Sequence, residues 1–307
     1  MLEKNALLYL LKKYPNKQWN WFLISQNPNI TLEIIEKYPE LQWNIYGISQ
    51  NPNITLEYIE NNPDKDWNFE NISFNPNLTF DFIKKNITKD FDWLGVSSHK
   101  NITLDIIEKN PKLPWDKYGI VQNPNLTIDF VTKNINKFSK MEWNLLTSNK
   151  NITIDFIEKN PKLKWNYSGL SSNPNITIEY VLLNKNKKWN WSKLSYNPNI
   201  TFNIIEKYPE LKWKLCGILQ NPNITIKNLK KYITINDDII YYISTNQNIT
   251  LKFIEEYIDL IDFENLSENQ FIFHNNQIKI IYEKSKLFYY LTFTKIIYDI
   301  KRYTITF

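Results

Sequence analysis

A threonine preceded by an apolar residue recurs ten times along this chain at almost constant spacing. The intervals between these threonines are 24, 24, 24, 24, 26, 24, 24, 24 and 25 residues. A fixed period of this kind is typical of tandem arrays, in which each unit packs on its neighbours and no central core forms. The 307 residues are therefore predicted to form one array rather than two globular domains. The ten residues are Thr31, Thr55, Thr79, Thr103, Thr127, Thr153, Thr177, Thr201, Thr225 and Thr250.

One unit reads as two short helices. The turn Asn27-Pro28-Asn29 is followed by Thr31, which stands where a helix N-cap is expected. Ile30 and Ile35 have the spacing of a hydrophobic staple around this cap. The helix is predicted to end at Tyr38-Pro39, because the residue before proline avoids the helical region. An aromatic residue followed by Asn or Asp then predicts a second, shorter helix.

Aromatic residues occupy two positions in the second half of the unit. The first slot is expected to be buried between units, and Met141 takes it in the copy with a two-residue insertion. The second slot, two residues later, is expected to be partly exposed because Lys117 also occupies it. Its tryptophans are candidates either for packing or for partner binding: Trp21, Trp93, Trp143 and Trp191. The first slot otherwise holds Trp19, Trp43, Trp67, Phe91, Trp115, Trp165, Trp189 and Trp213.

All five glycines lie four residues after the first slot. This placement indicates a close backbone approach between adjacent units rather than flexibility. The five are Gly47, Gly95, Gly119, Gly169 and Gly217.

The 24-residue unit resembles the leucine-rich repeat variant family, and the best copy runs from Asn51 to Trp67. The resemblance covers roughly residues 5 to 269. It implies an all-α, right-handed solenoid, each unit pairing a short α-helix with a shorter helix that is 3₁₀ in the family. An iron-sulfur cluster known in some relatives is excluded by the single cysteine, Cys216. The bias to Asn, Ile, Lys and Tyr also looks like repeat proteins of large DNA viruses of amoebae.

These patterns predict three regions. Residues 1–26 form an N-terminal cap with the first half unit, residues 27–269 form the tandem repeats, and residues 270–307 form a helical C-terminal cap. The inserted loop at residues 132–141, with its lysines, is a further candidate for binding.

Charge is concentrated in the second half of the array. Residues 130–231 hold 17 lysines and six acidic residues, a net charge of +11. The repeat period is expected to line up the lysines of the turns along one edge, either as a solvated face or as a binding surface. We call this row the basic edge: Lys162, Lys164, Lys185, Lys187, Lys188, Lys212 and Lys214.

No enzyme is predicted. His99 replaces a turn asparagine, His274 lies far from it, and no glycine-rich phosphate loop or nucleophile with a base is present. Neither a cofactor, a metal nor a small-molecule substrate is expected. The apolar run at residues 6–11 is too short to span a membrane or to act as a signal peptide, so we expect a cytoplasmic protein, or a virion component if the source is viral.

The favoured function is a noncatalytic scaffold that binds a protein partner through an extended solenoid surface. One alternative is weakly sequence-specific nucleic-acid binding along residues 130–231. A single arginine, Arg302, argues against precise base readout. The other alternative is a structural component of a particle.

Overall fold

The computed structural model describes residues 5–229 and 237–271. Within these ranges the chain is all-helical and contains no strand, as predicted. In the described part of the chain, eleven first helices alternate with eleven second helices, and each pair makes one unit, numbered from 1 to 11. The predicted C-terminal cap lies almost wholly outside the described residues.

The first helix of each unit is usually six residues long. In order, these helices are Ala6–Lys13, Leu32–Lys37, Leu56–Asn61, Phe80–Lys85, Leu104–Lys109, Ile128–Asn134, Ile154–Lys159, Ile178–Leu183, Phe202–Lys207, Ile226–Leu229 and Leu251–Glu256.

The second helices are also α-helices, four to eight residues long. They are Trp21–Gln26, Ile45–Gln50, Phe69–Ile72, Trp93–Ser98, Lys117–Gln122, Lys140–Leu146, Tyr167–Leu170, Trp191–Tyr196, Leu215–Gln220, Asp237–Ser244 and Phe263–Leu266. The 3₁₀ form implied by the family resemblance is therefore wrong for these helices. Among the described residues, 3₁₀ geometry occurs only at Ile135–Lys137, in the inserted loop.

Side chains cap both sets of helices. Thr31 accepts a hydrogen bond from the Ile34 amide, and the equivalent threonines act in the same way. Asn20 and Asp92 cap second helices. Unit 1 lacks the threonine, but Asn5 supplies its cap by accepting from the Leu8 amide. These bonds satisfy amides that a helix of less than two turns cannot satisfy itself.

The first-slot aromatic residues join the two helices of a unit. Trp19 and Trp189 are buried, and the Trp43 indole is half-buried. Each of these indoles donates its Nε1–H to the backbone carbonyl that ends the first helix, as Trp43 does to Tyr38 O at 2.8 Å. The prediction of a buried first slot is confirmed for Trp19 and Trp189, whereas Trp43 is only half-buried. The prediction is wrong for Met141, which is 63% exposed.

Buried asparagines connect each unit to the one before it. Asn51 donates from Nδ2 to the backbone oxygens of Ser25 at 2.7 Å, Asn27 at 3.2 Å and Ile30 at 3.0 Å. The same pattern recurs in later units, with Asn173 as one example. We call this set of bonds the asparagine ladder. It fixes the separation of neighbouring units, because a buried carbonyl left without a donor costs stability.

Second helices of neighbouring units lie unusually close together. A Cβ atom on Gly47 would lie 2.4 Å from Phe22 O, and one on Gly217 would lie 2.5 Å from Ser192 O. The predicted close approach at these glycines is therefore confirmed. First helices are separated instead, for example by a groove of about 470 Å³ between Phe80 and Pro111. The array therefore curves with its second helices on the inner side.

The first and last units also contact each other, and we call this junction the seam. Asn27 donates to Ser267 O at 3.1 Å and to Asn269 O at 3.0 Å, which repeats the asparagine ladder. The Asn20 amide donates to Ser267 Oγ, as the Asn44 amide donates to Ser25 Oγ. The contacts among the described residues thus form a closed cycle of eleven units, in which units 1 and 11 cover each other.

Candidate binding surface

The second-slot tryptophans pack on the following unit. The Trp21 ring lies 5.8 Å from that of Trp43, edge to face. Trp93 and Trp191 make the same type of contact with Trp115 and Trp213, at 5.3 and 5.4 Å between centroids. All four second-slot indoles are half-buried, so each combines packing with a partly exposed surface.

The seven lysines of the basic edge are all exposed and lie on the turns of three consecutive units, 7, 8 and 9. None of them forms an ion pair with another described residue, whereas lysines on the first helices commonly do, as Lys159 does with Asp155. Lys187 lies over the Tyr167 ring, 5.2 Å from its centroid. The edge therefore offers uncompensated positive charge beside aromatic rings.

The structure brings some predicted site residues together and separates others. Trp143 lies against the basic edge, because its Nε1 donates to Lys164 O at 2.9 Å. Trp191 packs on Trp213, which Lys212 and Lys214 flank in sequence. Trp21 and Trp93 belong to units 1 and 4 and do not join this cluster.

Unit 6 departs from most other units, because its second helix begins at Lys140, three residues before the second-slot residue Trp143. Ser139 and Glu142 form a capping box: the Ser139 amide donates to Glu142 Oε2 at 2.6 Å, and the Glu142 amide donates to Ser139 Oγ at 3.2 Å. The preceding unit has Val121 where most units have a serine hydroxyl that accepts from the next unit's cap. Because unit 6 satisfies its own cap, that hydroxyl is not needed.

This change opens a groove of about 570 Å³ between units 6 and 7, which we call the insertion groove. Sequence reasoning identified the loop and Trp143 but missed the groove, because it assigned Met141 to the buried slot. Phe138 instead contacts Trp143, with ring centroids 6.3 Å apart. The residues that define the groove are Ile135, Phe138, Lys140, Trp143, Leu163 and Lys164.

A second cavity, of about 440 Å³, lies at the inner side of the seam. Its lining comes from units 1, 2, 3, 10 and 11 and includes Gln26, Gln50, Phe74 and Glu268. The sequence carried no signal for this cavity, since it joins residues from the two ends of the described chain.

Several titratable groups outside the basic edge have perturbed pKa values. Burial lowers the pKa of His99, whose Nε2 lies 3.0 Å from Asn75 O. Burial raises the pKa of Tyr180 to about 12. At the seam, hydrogen bonds to Lys13 and Tyr9 lower the pKa of Glu255.

His99 occupies the place of a turn asparagine, as predicted, and it also takes over part of the role of a ladder asparagine. Its Nδ1 accepts from the Asn101 amide at 3.1 Å, as Asn51 Oδ1 accepts from Asn53. Nε2 then carries the proton and donates to Asn75 O. These two hydrogen bonds give the His99 ring a role in packing between units.

Over the described ranges, no group of three or more His, Cys, Asp or Glu side chains is arranged to hold a metal ion. None of the helices described is both long and apolar enough to cross a membrane.

Comparison with known proteins returned no matching family model, curated protein or solved structure.

Proposed function

We propose that this chain is a noncatalytic repeat scaffold, built on the plan of the leucine-rich repeat variants as a right-handed solenoid, that binds an acidic protein along the basic edge. One observation carries the proposal: seven exposed lysines on three consecutive units have no ion-pair partner among the described residues. Uncompensated charge of one sign steers a partner of the opposite sign and fixes its register.

The basic edge is also held in a defined geometry. The asparagine ladder joins unit 8 to unit 7 through Asn197 and unit 9 to unit 8 through Asn221. A surface that is already ordered loses little conformational freedom on binding. An extended acidic segment is therefore a better fit to this row than a compact ligand.

Affinity capture with the full chain tests the proposal. Reversal of Lys185, Lys187 and Lys188 to Glu should release the captured partner at physiological salt. The matched control reverses three exposed lysines in other units, Lys37, Lys89 and Lys112, and should retain the partner although the net charge changes equally. A partner retained equally by both variants, or one without an acidic segment, would contradict the proposal.

Nucleic-acid binding is the second candidate, because the same unpaired lysines beside Tyr167 and Trp213 could contact phosphates and stack bases. A gel-shift series with single-stranded RNA and DNA distinguishes the two. Affinity that falls steeply with salt and is lost in the Lys185/Lys187/Lys188 reversal would favour nucleic acid over protein.

If the source is viral, recovery of the chain from purified particles would instead favour a structural component.

A further inference from the structure

We infer that the insertion groove binds a large apolar side chain carried by an acidic segment of the protein partner. This inference rests on the proposed protein-binding function and names the site and the partner chemistry. Grooves also separate regular units, as between Phe80 and Pro111, but the insertion groove lies where the 24-residue period is broken and has a different lining.

Unit 6 lacks the buried aromatic side chain that several other units place in the first slot. In units 1, 4 and 8 the first slot is filled by Trp19, Phe91 and Trp189, each no more than 8% exposed. In unit 6 the corresponding Met141 turns into solvent, and Phe138 reaches Trp143 from the inserted loop without filling the space. The remaining volume of about 570 Å³ is in the range of ligand pockets.

Four apolar side chains form part of the groove walls, together with the polar residues Asn136, Ser139 and Asn144. The four are Ile135, Phe138, Trp143 and Leu163, and all four side chains are half-buried. Trp143 is also held in place, because it packs on Trp165 at 5.2 Å between centroids. An apolar side chain placed between these walls would remove its own apolar surface and that of the walls from water, which favours binding.

The rim of the groove is basic. Lys140 and Lys164 are exposed, and neither forms an ion pair with a described residue. Glu142 does not neutralise them, because it is buried and its carboxylate accepts the Ser139 amide. An apolar side chain with neighbouring carboxylates complements this combination, whereas a basic or purely apolar segment does not.

The groove is continuous with the basic edge. Lys164 belongs to both, and Trp143 donates to the backbone oxygen of Lys164. A segment anchored in the groove would therefore extend past Lys162 toward Lys185 in the next unit. We infer that the anchor sets the position of the partner and that the lysines hold its acidic continuation.

Selection from a displayed library of random 12-residue peptides tests the inference with the full chain. Enriched peptides should carry Trp, Phe or Leu within three residues of at least two acids. Asn136→Trp, which adds an indole at the groove lining, should weaken these peptides by at least about tenfold. Asn16→Trp, at the equivalent exposed turn position of unit 1 and away from the basic edge, is the matched control and should leave affinity unchanged.

The outcomes separate the groove from the basic edge. If Lys185/Lys187/Lys188 reversal weakens the peptides and Asn136→Trp does not, the basic edge binds and the groove inference fails. If no peptide of this class is enriched, or if Asn136→Trp instead weakens a single-stranded oligonucleotide, the groove inference is also overturned. Equal thermal melting of both tryptophan variants and the wild-type chain confirms that they are folded.

Discussion

The seam and unit 6 differ in a way that sequence distance does not anticipate. The seam joins residues 240 or more positions apart, yet it repeats the ladder bonds, the serine bond and the aromatic contact of an ordinary junction. Unit 6 joins residues that are close in sequence, yet it differs from the other units in its helix cap, in its aromatic contact and in the residues that line its groove. The geometry of a junction therefore depends on the shape of its two units.

The asparagine ladder survives in both regions. Asn149 still donates to Val121 O at 2.9 Å and to Asn123 O at 3.1 Å, although two extra residues separate it from them. The insertion is accommodated before the second helix, by Ile135–Lys137 and the early start at Lys140. Inner contacts are thus preserved while the outer side of the unit changes, which is where the insertion groove lies.

The largest expected effect is loss of a complete ladder residue. Asn173→Leu removes three donor bonds, at an expected cost of about 3 kcal/mol. The Thr147 carbonyl loses the Asn173 donor, whereas the carbonyls of Asn149 and Ile152 keep bonds from the Ile152 amide and from Asn175 Nδ2. Urea denaturation followed by circular dichroism measures the free energy of unfolding. Asn149→Leu, which removes two bonds at the insertion, should cost less; equal costs would contradict the distinction.

The seam is tested next, with an expected cost of about 2 kcal/mol for Asn27→Leu, which removes two buried bonds. Carbodiimide should couple Lys13 to Glu255 in the wild-type chain, because these side chains form an ion pair. In the variant we expect less of this cross-link by mass spectrometry and a larger radius of gyration by X-ray scattering. A wild-type chain that never cross-links at this pair would rule out the seam in solution.

Glycine variants sharpen the comparison between backbone and side-chain contacts. Gly47→Ala should destabilise by about 1.5 kcal/mol, because its Cβ would meet the Phe22 carbonyl oxygen, a backbone atom. Gly95→Ala should cost less, because its Cβ would meet the ring of Phe74, which is 39% exposed and can rotate away. Thermal melting of the two variants in parallel measures the order, and the reverse order would contradict this reading of the junctions.

The smallest effect is a pH dependence at the one ladder position that is not asparagine. Because burial lowers the pKa of His99, the unfolded chain binds a proton more readily than the folded chain. This contribution to stability is complete above the ordinary pKa of 6.5 and is lost as the pH falls from there toward the lower folded pKa. His99→Asn should remove that part of the pH dependence in urea denaturation. An unchanged profile would show that another group titrates.

Local features were predictable because they depend on a few adjacent residues. Thr31 as a cap, the buried Trp19 and the close approach at Gly47 all follow from rules that act within one unit or one junction. The sequence also placed His99 at a turn asparagine position, but it did not predict the bond from His99 to the preceding unit. Met141 was misassigned because the sequence aligns a residue with a slot but does not show which of two neighbours, Phe138 or Met141, turns inward.

The sequence by itself determined the period, the helices, their caps and the row of lysines, because each follows from a local pattern of residues that repeats along the chain. Only the tertiary structure decided that the units close on themselves and that a groove opens in unit 6. Closure of eleven units requires an average turn of about 33° at each junction. That angle depends on how the second helices of neighbouring units pack. The angles of all the junctions add up, and their sum decides whether residues 27 and 269 meet.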